Sequence, residues 1–259
     1  MSNDEALKSY NVQNFRTPDG YTSDIAVFTI LSSKVGEFKP PSMKLMLMLI
    51  KRAELNAEGH QNFDAGKWAL PGGFVHDNET ALEAARRELY EETGVRNIHI
   101  EHFGVYDTPK RDPRGWIISN AHYAIVPEHK LAERKANDDA QDVKLISVDE
   151  VFQLDLAFDH YQIITDAICT IKNDLLQTNI AKNFLQEFFT YSELQAVLKT
   201  VTNDPAILSD QAFSRKIKSL PFIKEVTGKK TQRTSKTPTQ LYQFVDEINS
   251  RRSIYTARY

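Results

Sequence analysis

GFVHDNETALEAARRELYEETGV, residues 73–95, is the most informative part of this 259-residue chain. It follows the pattern G-x5-E-x7-R-E-U-x-E-E-x-G-U, in which U is an aliphatic residue. The fixed positions are Gly73, Glu79, Arg87, Glu88, Leu89, Glu91, Glu92, Gly94 and Val95. A single pair of glutamates on a helix is usually a solvated surface, but here every fixed position is filled. The stretch therefore predicts a helix that carries chemistry.

The spacing of the glutamates predicts a metal site. Residues three and four apart share one face of a helix, so Glu88, Glu91 and Glu92 are expected to form one cluster of carboxylates. Like charges this close repel one another, and a hard divalent cation removes the repulsion. Because all the donors are oxygen atoms, Mg²⁺ or Mn²⁺ is favoured over Zn²⁺.

The residues around the glutamates predict how the helix is held. Residues 68–73 are typical of a short buried strand that ends in a turn, and Gly73 lets the backbone approach a metal or a phosphate closely. Asp77 or Asn78 is expected to cap the helix, with Glu79 in its first turn. Gly94 is expected to end the helix in a left-handed conformation.

Arg87 would be an ordinary surface residue on a helix without a function. Here it lies eight residues after Glu79 and next to Glu88. A guanidinium can bind two carboxylates at once. We therefore expect Arg87 to pair with Glu79 and to hold the acidic cluster in register.

The composition indicates two units with different partners. With 41 % hydrophobic and 26 % charged residues, the chain suits a globular protein of one large or two modest domains. Residues 1–182 hold 20 Lys and Arg against 28 Asp and Glu, a net charge of −8. Residues 183–259 hold 12 against 7, a net charge of +5. An acidic N-terminal part and a basic C-terminal part suggest separate domains.

Cysteine content and hydropathy predict a cytoplasmic protein. We recognise no signal peptide and no apolar run of transmembrane length, so no membrane partner is expected. The single cysteine, Cys169, excludes an intramolecular disulfide. It lies in the apolar pattern of a predicted helix, which indicates a buried thiol rather than a nucleophile.

The pattern of apolar residues predicts a mixed sheet layered by helices, an α/β fold. The run KLMLMLI at 44–50 is nearly continuous in apolar residues, as expected of a strand covered on both faces. Further strands are predicted at 24–31, 98–106, 117–126 and 143–147. The segment 130–142 is charged and is expected to be a loop, and 159–176 has the spacing of an amphipathic helix.

A polar loop at residues 106–115 follows one of these strands. Its two prolines limit its conformations, and Lys110, Arg111 and Arg114 could meet phosphates or a ribose. Many charged loops look like this one, but loops near a site often carry its binding residues. We therefore expect these three residues to bind substrate.

The last eighty residues have the order of a winged helix-turn-helix domain. Ser192 and Gln195 have the spacing of a capping box that opens a helix, and Ser209 or Asp210 can cap a second, basic helix over 211–220. Strands are predicted at 222–226 and 241–245, around a loop rich in lysine. The basic residues expected to contact double-stranded DNA are Arg215, Lys216, Lys218, Lys229, Lys230, Arg233 and Lys236. The alternative is a small helical cap for dimerisation or protein binding, with a solvated basic loop.

The filled pattern at 73–95 makes residues 20–150 resemble the Nudix hydrolase superfamily. The whole chain is similar to a narrower group, the NrtR-type regulators, in which a Nudix domain precedes a winged helix. This resemblance rests on residues 68–73, 110–115, 157–160 and 189–194 as well as the 73–95 pattern. It implies an α/β/α Nudix sandwich with a mixed sheet over 1–155, a linking helix over 156–182 and a winged helix-turn-helix domain over 183–259.

The resemblance also implies the chemistry. Glu88, Glu91 and Glu92 would ligate Mg²⁺ or Mn²⁺ with help from the Gly73 carbonyl, and Arg87 would orient them for catalysis. The implied reaction cleaves the diphosphate of a nucleoside derivative, with ADP-ribose favoured and Glu92 as a candidate base. Since the chain keeps every carboxylate of the pattern, hydrolysis is expected to be retained.

Three functions remain open at this point. The first is an ADP-ribose pyrophosphatase whose winged helix regulates transcription, expected to act as a homodimer. The second is a plain nucleotide hydrolase with a dimerising second domain. The third is a ligand-sensing repressor of NAD or sugar metabolism with little catalysis. His160, at the predicted junction, could be a pH-sensitive switch or a structural, hydrogen-bonded histidine.

Overall fold

The computed structural model describes residues 2–245 with gaps at 12–13, 15, 56–58, 131–142 and 221. Within these residues the first half of the chain forms a mixed sheet. Its strands are β1 (Gly20–Ser33), β2 (Ser42–Lys51), β3 (Trp68–Ala69), β4 (Gly72–Phe74), β5 (His99–Tyr106), β6 (Ile117–Ile125) and β7 (Val143–Ser147). The order is β3-β2-β1-β6-β5, while β4 pairs with β1 and β7 pairs with β2. The β1–β6 pair is parallel and the other pairs are antiparallel.

Helices and a hairpin complete the described chain. The helices are α1 (Asn3–Ser9), α2 (Ala81–Thr93), α3 (His160–Gln177), α4 (Tyr191–Lys199), α5 (Pro205–Leu208) and α6 (Asp210–Lys216). Strands β8 (Ile223–Thr231) and β9 (Thr239–Phe244) form a separate antiparallel hairpin. Short 3-10 turns lie at Val151–Gln153, Ile180–Phe184 and Ile217–Ser219. None of the described helices is long and apolar enough to cross a membrane.

The sheet is buried on both faces because alternate residues of β1 point to opposite sides. Ile25 and Val27 share one apolar cluster with Leu89 of α2. Phe28 belongs to a second cluster, with Ile164 of α3. This arrangement confirms the predicted α/β/α sandwich. It also explains the apolar run of β2, where residues 45–49 are all buried as expected.

Helix α2 begins later than the sequence suggested. Thr80, rather than Asp77 or Asn78, is the N-cap, and Glu83 completes a capping box with it. Glu79 therefore precedes the helix, because Thr80 and Glu83 offer a reciprocal pair of cap bonds that the earlier residues cannot make. The predicted end is confirmed: Gly94 has a φ of +67° and its N–H donates to the Tyr90 carbonyl.

The prediction of a buried Cys169 is wrong. This residue lies on the exposed side of α3. The buried face of the helix carries Ile164, Ala167, Ile168 and Ile171. Since each residue turns the helix by about 100°, a position directly after Ile168 turns away from the sheet.

The second half of the chain has the predicted order of a winged helix, with local corrections. Helix α4 starts at a capping box of Thr190 and Glu193, two residues before the predicted one. Ser192 and Gln195 are instead buried inside the helix, where Gln195 donates to the Ile207 carbonyl. The short helix α5 follows α4, with Asp204 as its cap. Ser209 caps the basic helix α6, as one of the two predicted options.

The hairpin is longer than predicted. Lys229 and Lys230 lie within β8, so the tip of the wing is confined to residues 232–238. The two halves of the chain share one apolar cluster, which joins Leu47 of β2 to Leu194 of α4. The predicted charged loop at 130–142 lies almost entirely outside the described residues.

Candidate functional site

Arg87 is the centre of an ion-pair network on α2. Its guanidinium donates to both carboxylate oxygens of Glu79, at 2.6 and 3.1 Å, as the sequence predicted. It also donates to Glu88 at 2.6 Å and to Glu91 at 3.4 Å. A further bond reaches the Phe74 carbonyl of β4 at 3.0 Å. Arg87 thus ties the helix, the loop before it and strand β4 together.

This network changes the charge state of its members. Hydrogen bonds from Arg87, and one from the backbone of His76, lower the pKa of Glu79 to about 2. The bonds of Arg87 to Glu79 and to Glu88 raise the pKa of Arg87 above its usual range. Glu79 and Arg87 therefore both stay charged throughout the physiological pH range.

Gly73 brings the backbone of β4 against the carboxylate of Glu88. A β-carbon at position 73 would overlap the side-chain oxygens of Glu88, so any larger residue there would displace this carboxylate. The Glu88 side chain is 13 % exposed, whereas that of Glu91 is 56 % exposed. That the Gly73 carbonyl and Glu88 act together on a metal stays a prediction.

The three metal-site glutamates do not converge as the sequence predicted. Among the described residues, no three His, Cys, Asp or Glu side chains come close enough together to hold a metal ion. Arg87 instead pairs with two of the three glutamates, Glu88 and Glu91. The donor set is still all oxygen, and the absence of a side chain at Gly73 lets the Glu88 carboxylate lie against the backbone of β4, so the donor chemistry fits Mg²⁺ or Mn²⁺.

A cavity of about 380 Å³ opens beside Gly73. Strands β1, β2 and β4, the polar loops and the start of α3 contribute to its walls. The residues that line it are Thr22, Asp24, Ile50, Arg52, Leu55, Asn62, Ala69, Leu70, Gly72, Gly73, Phe74, Arg111, Asp112, Arg114, Phe158 and His160. This volume is in the range of small-molecule sites.

Two of the three predicted substrate-binding residues line this cavity. Arg111 donates to both oxygens of Asp159, at 2.5 and 2.7 Å, and its side chain is only 5 % exposed. Arg114 pairs with the buried carboxylate of Asp112 at 2.7 Å. Lys110 is exposed in the turn before them, with a φ of +67°, and is not among the lining residues.

Phe158 and Arg52 were missed by sequence reasoning. The guanidinium groups of Arg52 and Arg114 lie 4.7 and 4.9 Å from the centre of the Phe158 ring. Phe158 has a φ of +49°, which is uncommon for a residue with a side chain, and Asp64 holds its N–H at 2.9 Å. Position 158 stood out in the sequence only as part of the junction segment, and Arg52 only as a polar residue after a strand.

The base of the cavity contains a buried polar network. Ser119 donates to Asp24 at 2.5 Å, and the Leu70 N–H donates to Nδ1 of His160 at 2.9 Å. Burial lowers the pKa of His160 below its usual value. A neutral His160 ring that accepts a backbone hydrogen bond fits the structural role expected of this histidine rather than that of a pH-sensitive switch.

The predicted DNA-binding residues lie on one helix and on the hairpin. Arg215 and Lys216 are in α6, and Lys218 follows in the 3-10 turn, 4.0 Å from Glu225. Lys230 and Lys236 are exposed on the wing. Two other predicted contacts have protein partners, namely Lys229, whose ammonium is 4.0 Å from the ring centre of Phe188, and Arg233, which pairs with Glu193.

Comparisons with known proteins agree with both halves of this description. The ADPR responsive transcriptional repressor NtrR of Acinetobacter baylyi is 26 % identical over 92 % of this chain and 86 % of its own length. The ADP-ribose pyrophosphatase of Methanocaldococcus jannaschii is 40 % identical over 46 % of this chain and 64 % of its own length. The crystal structure of Shewanella oneidensis NrtR complexed with a 27mer DNA is 27 % identical, with a TM-score of 0.66. It covers 87 % of this chain and 93 % of that one.

Family models identify two parts of the chain. The model of the NrtR DNA-binding winged helix domain matches residues 181–244. The model of the NUDIX domain matches residues 22–167, more than half of the chain. The chain therefore belongs to the Nudix family, and it carries a winged helix domain of the NrtR type after its Nudix domain.

Proposed function

We propose that this protein is a Nudix hydrolase that cleaves the diphosphate of ADP-ribose or a related nucleoside derivative, and that its winged helix couples the ligand to DNA binding. One observation carries the proposal. In the intact 73–95 pattern, Gly73 lines the same cavity as Arg111 and Arg114, and the carboxylate of Glu88 lies against Gly73. Oxygen ligands and guanidinium groups at one opening suit a diphosphate.

The cavity offers a place for each part of such a ligand. Arg52 and Arg114 supply positive charge for the phosphates, and guanidinium groups bind phosphate oxygens in pairs. The ring of Phe158 lines the same cavity, close to both guanidinium groups, and supplies an aromatic surface against which an adenine could pack. The relative from Methanocaldococcus jannaschii, named as an ADP-ribose pyrophosphatase, supports this choice of substrate.

In the proposed reaction Glu88, Glu91 and Glu92 would hold Mg²⁺ or Mn²⁺ with the Gly73 carbonyl. When bound, the ion supplies charge neutralisation and a more acidic water. Arg87 and Glu79 hold the helix against β4, so that the carboxylates keep their direction. Glu92 accepts a proton from the attacking water. The new bond forms to one phosphorus, the bond from that phosphorus to the bridging oxygen breaks, and AMP and ribose 5-phosphate leave.

The proposed DNA binding is supported by the basic residues of the second domain and by the succession of its helices and wing. Helix α6 carries Arg215 and Lys216, and the wing carries Lys230 and Lys236. A basic helix can enter the major groove while a wing contacts phosphates. The chain aligns over most of its length with a relative named as an ADPR responsive repressor. A homodimer would let two such helices read two half-sites, and remains a prediction from the family.

A second function is favoured by a separate observation. Arg87 is paired with Glu88 and Glu91 where a metal would need their charges. A protein of this kind could bind ADP-ribose and regulate DNA with little turnover. The plain hydrolase with a dimerising second domain is the remaining alternative, and it requires that no DNA is bound.

Two measurements separate these functions. The first is AMP release from ADP-ribose with Mg²⁺ by the wild type and by the Glu91→Gln and Glu92→Gln variants. Loss of a metal ligand should lower the rate on the order of a thousandfold. Glu83→Gln is the matched control, since glutamine can keep the capping box of the same helix. Wild-type rates in both site variants would overturn the assignment of the site.

The second measurement is the retention of a DNA duplex by the protein, with and without ADP-ribose. Binding that weakens steeply with salt and that ADP-ribose changes supports the coupled function. Turnover without any DNA binding leaves the plain hydrolase. DNA binding that responds to ADP-ribose, without turnover, leaves the regulator.

A further inference from the structure

Arg233 lies at the surface of the wing, but its side chain is bound to other parts of the protein. Its Nε and Nη2 atoms donate to the two carboxylate oxygens of Glu193, both at 2.6 Å. Nη2 also donates to the Phe188 carbonyl at 2.7 Å. These contacts join the tip of the wing to a segment some forty residues earlier. They use the two-pronged geometry that only a guanidinium can supply.

Glu193 is itself part of the start of helix α4. Its carboxylate accepts a hydrogen bond from the N–H of Thr190, the N-cap, at 2.8 Å. Thr234, the neighbour of Arg233, is 6 % exposed and contacts the hydroxyl of the same Thr190 at 3.3 Å. The wing is thus fixed to the first turn of α4 by two adjacent residues, one charged and one polar.

Helix α4 connects this contact to the Nudix domain. The helix packs against strand β2 of the Nudix sheet, and both belong to the same apolar cluster. Arg233 and Glu193 also line a cavity of about 570 Å³ between the two domains, whose other wall includes Ile30 and Met43. A change at this pair would therefore alter how the wing sits on the Nudix domain.

The neighbouring wing lysines, Lys230 and Lys236, are exposed on the same hairpin, but Glu193 pairs with Arg233 and not with them. The Arg233 side chain is 35 % exposed and that of Glu193 is 15 % exposed. Arg233 already uses its Nε and Nη2 atoms in bonds to Glu193 and to the Phe188 carbonyl, which would have to break before it could turn to a phosphate.

We propose that Arg233 is a positioning residue for DNA binding: through Glu193 it fixes the wing on α4, and it does not contact phosphate. This assigns a role different from the one that the basic composition of the loop predicted. The inference rests on the proposed DNA binding by the winged helix. The two can be tested separately, because wild-type binding tests the first and the variants below test the second.

The experiment uses the full-length protein and a DNA duplex that the wild type has itself selected from random 27-base-pair sequences, the length of DNA in the NrtR complex. Binding is titrated at several salt concentrations. The variants are Arg233→Gln, Arg233→Lys, Glu193→Gln and the double variant. Glu193→Gln can retain the capping box while it removes the charge that holds Arg233. Glu187→Gln, an exposed acidic position of the same domain, is the matched control, and Lys236→Gln reports on a direct phosphate contact.

The positioning role predicts four results. Glu193→Gln weakens binding although it removes a negative charge, by roughly ten- to a hundredfold, as expected for a charged hydrogen-bonded pair. Arg233→Lys weakens binding as much as Arg233→Gln, since a lysine ammonium cannot form the paired hydrogen bonds of a guanidinium. The double variant is no worse than either single variant, because both remove the same contact. In hydrogen exchange without DNA, amides 232–238 exchange faster in Glu193→Gln than in Glu187→Gln.

A phosphate contact predicts the opposite pattern. Arg233→Lys would then bind nearly as well as wild type, Glu193→Gln would bind as well or better, and Arg233→Gln would lower the salt slope by about one, as Lys236→Gln should. That pattern would overturn the inference. Unchanged exchange of the wing in Glu193→Gln would do so as well, even if affinity fell. Failure of the wild type to select any duplex would instead overturn the proposed DNA binding.

Discussion

Arg111, which lines the cavity, forms two hydrogen-bonded ion contacts with Asp159, the residue just before helix α3. The pair lies 48 residues apart in sequence, and the Arg111 side chain is 5 % exposed. Asp24 is the next carboxylate, 3.9 Å from the same guanidinium. The start of the linking helix is therefore fixed by a residue that also lines the proposed ligand site.

Asp159→Asn should destabilise the protein because it leaves a buried guanidinium without its main partner. Loss of one member of a buried pair costs about 3 kcal/mol or more. The free energy of unfolding in urea measures this loss. Asp155→Asn is the control, since Asp155 is 78 % exposed and only 3.9 Å from Lys67. Equal stability of the two variants would show that the Arg111 pair does not hold the helix.

Gly73→Ala should lower activity with little effect on the rest of the fold. The new β-carbon would overlap the carboxylate of Glu88 and push it away from β4. We expect the rate of ADP-ribose cleavage to fall by at least tenfold, since a carboxylate displaced from a reacting site loses its transition-state contacts. Gly36→Ala is the control, because its β-carbon would make only an ordinary contact with Lys39. A Gly73→Ala variant with full activity would contradict the role of this close approach.

Buried histidines should make the protein less stable in mild acid. Burial, with a smaller contribution from His102, lowers the pKa of His122 from 6.5 to about 4. A lowered pKa means that the unfolded chain binds the proton first, so stability is complete above pH 6.5 and is lost as the pH falls toward 4. The lowered pKa of the buried His160 acts in the same direction.

The melting temperature should therefore fall between pH 6.5 and 4 in the wild type and fall less in His122→Gln. The variant removes the group that takes up the proton, although it also alters the contact with Ser23. Exposed His129→Gln should keep the wild-type pH dependence. The assignment is wrong if His122→Gln and wild type lose stability in parallel over this range.

Cys169 should react with a thiol reagent in the native protein. It lies on the exposed side of α3, 3.7 Å from the side-chain amide of Asn173. We expect one equivalent of thiol to be titrated without denaturant, at the same stoichiometry as in the unfolded chain. A thiol that reacts only after unfolding would instead support the burial that the sequence pattern suggested.

The sequence predicted those features that depend on local spacing. The 73–95 pattern located helix α2, its left-handed end at Gly94 and the Arg87–Glu79 pair, because these residues lie within one or two helical turns of each other. Continuous apolar residues predicted that β2 is buried on both faces. Exact cap positions were less certain, since Thr80 and Thr190 compete with nearby residues for the same role.

What the sequence could not predict depends on contacts between distant segments. Arg233 meets Glu193 across 40 residues, and Phe158 meets Arg52 only because the junction folds back on the loop after β2. Nothing in the local sequence pattern distinguishes an arginine that forms an ion pair within the protein from one that does not. The side of α3 that carries Cys169 likewise depends on which face packs against the sheet.

The central claim is that the glutamates of α2 support metal-dependent cleavage of a diphosphate. It is tested most directly by incubating the purified protein with ADP-ribose and Mg²⁺ and measuring AMP release, with a chelator in parallel. We predict release that stops with the chelator and falls on the order of a thousandfold in Glu92→Gln. If ADP-ribose and a panel of other nucleoside diphosphate derivatives all remain intact with the metal present, the claim is contradicted.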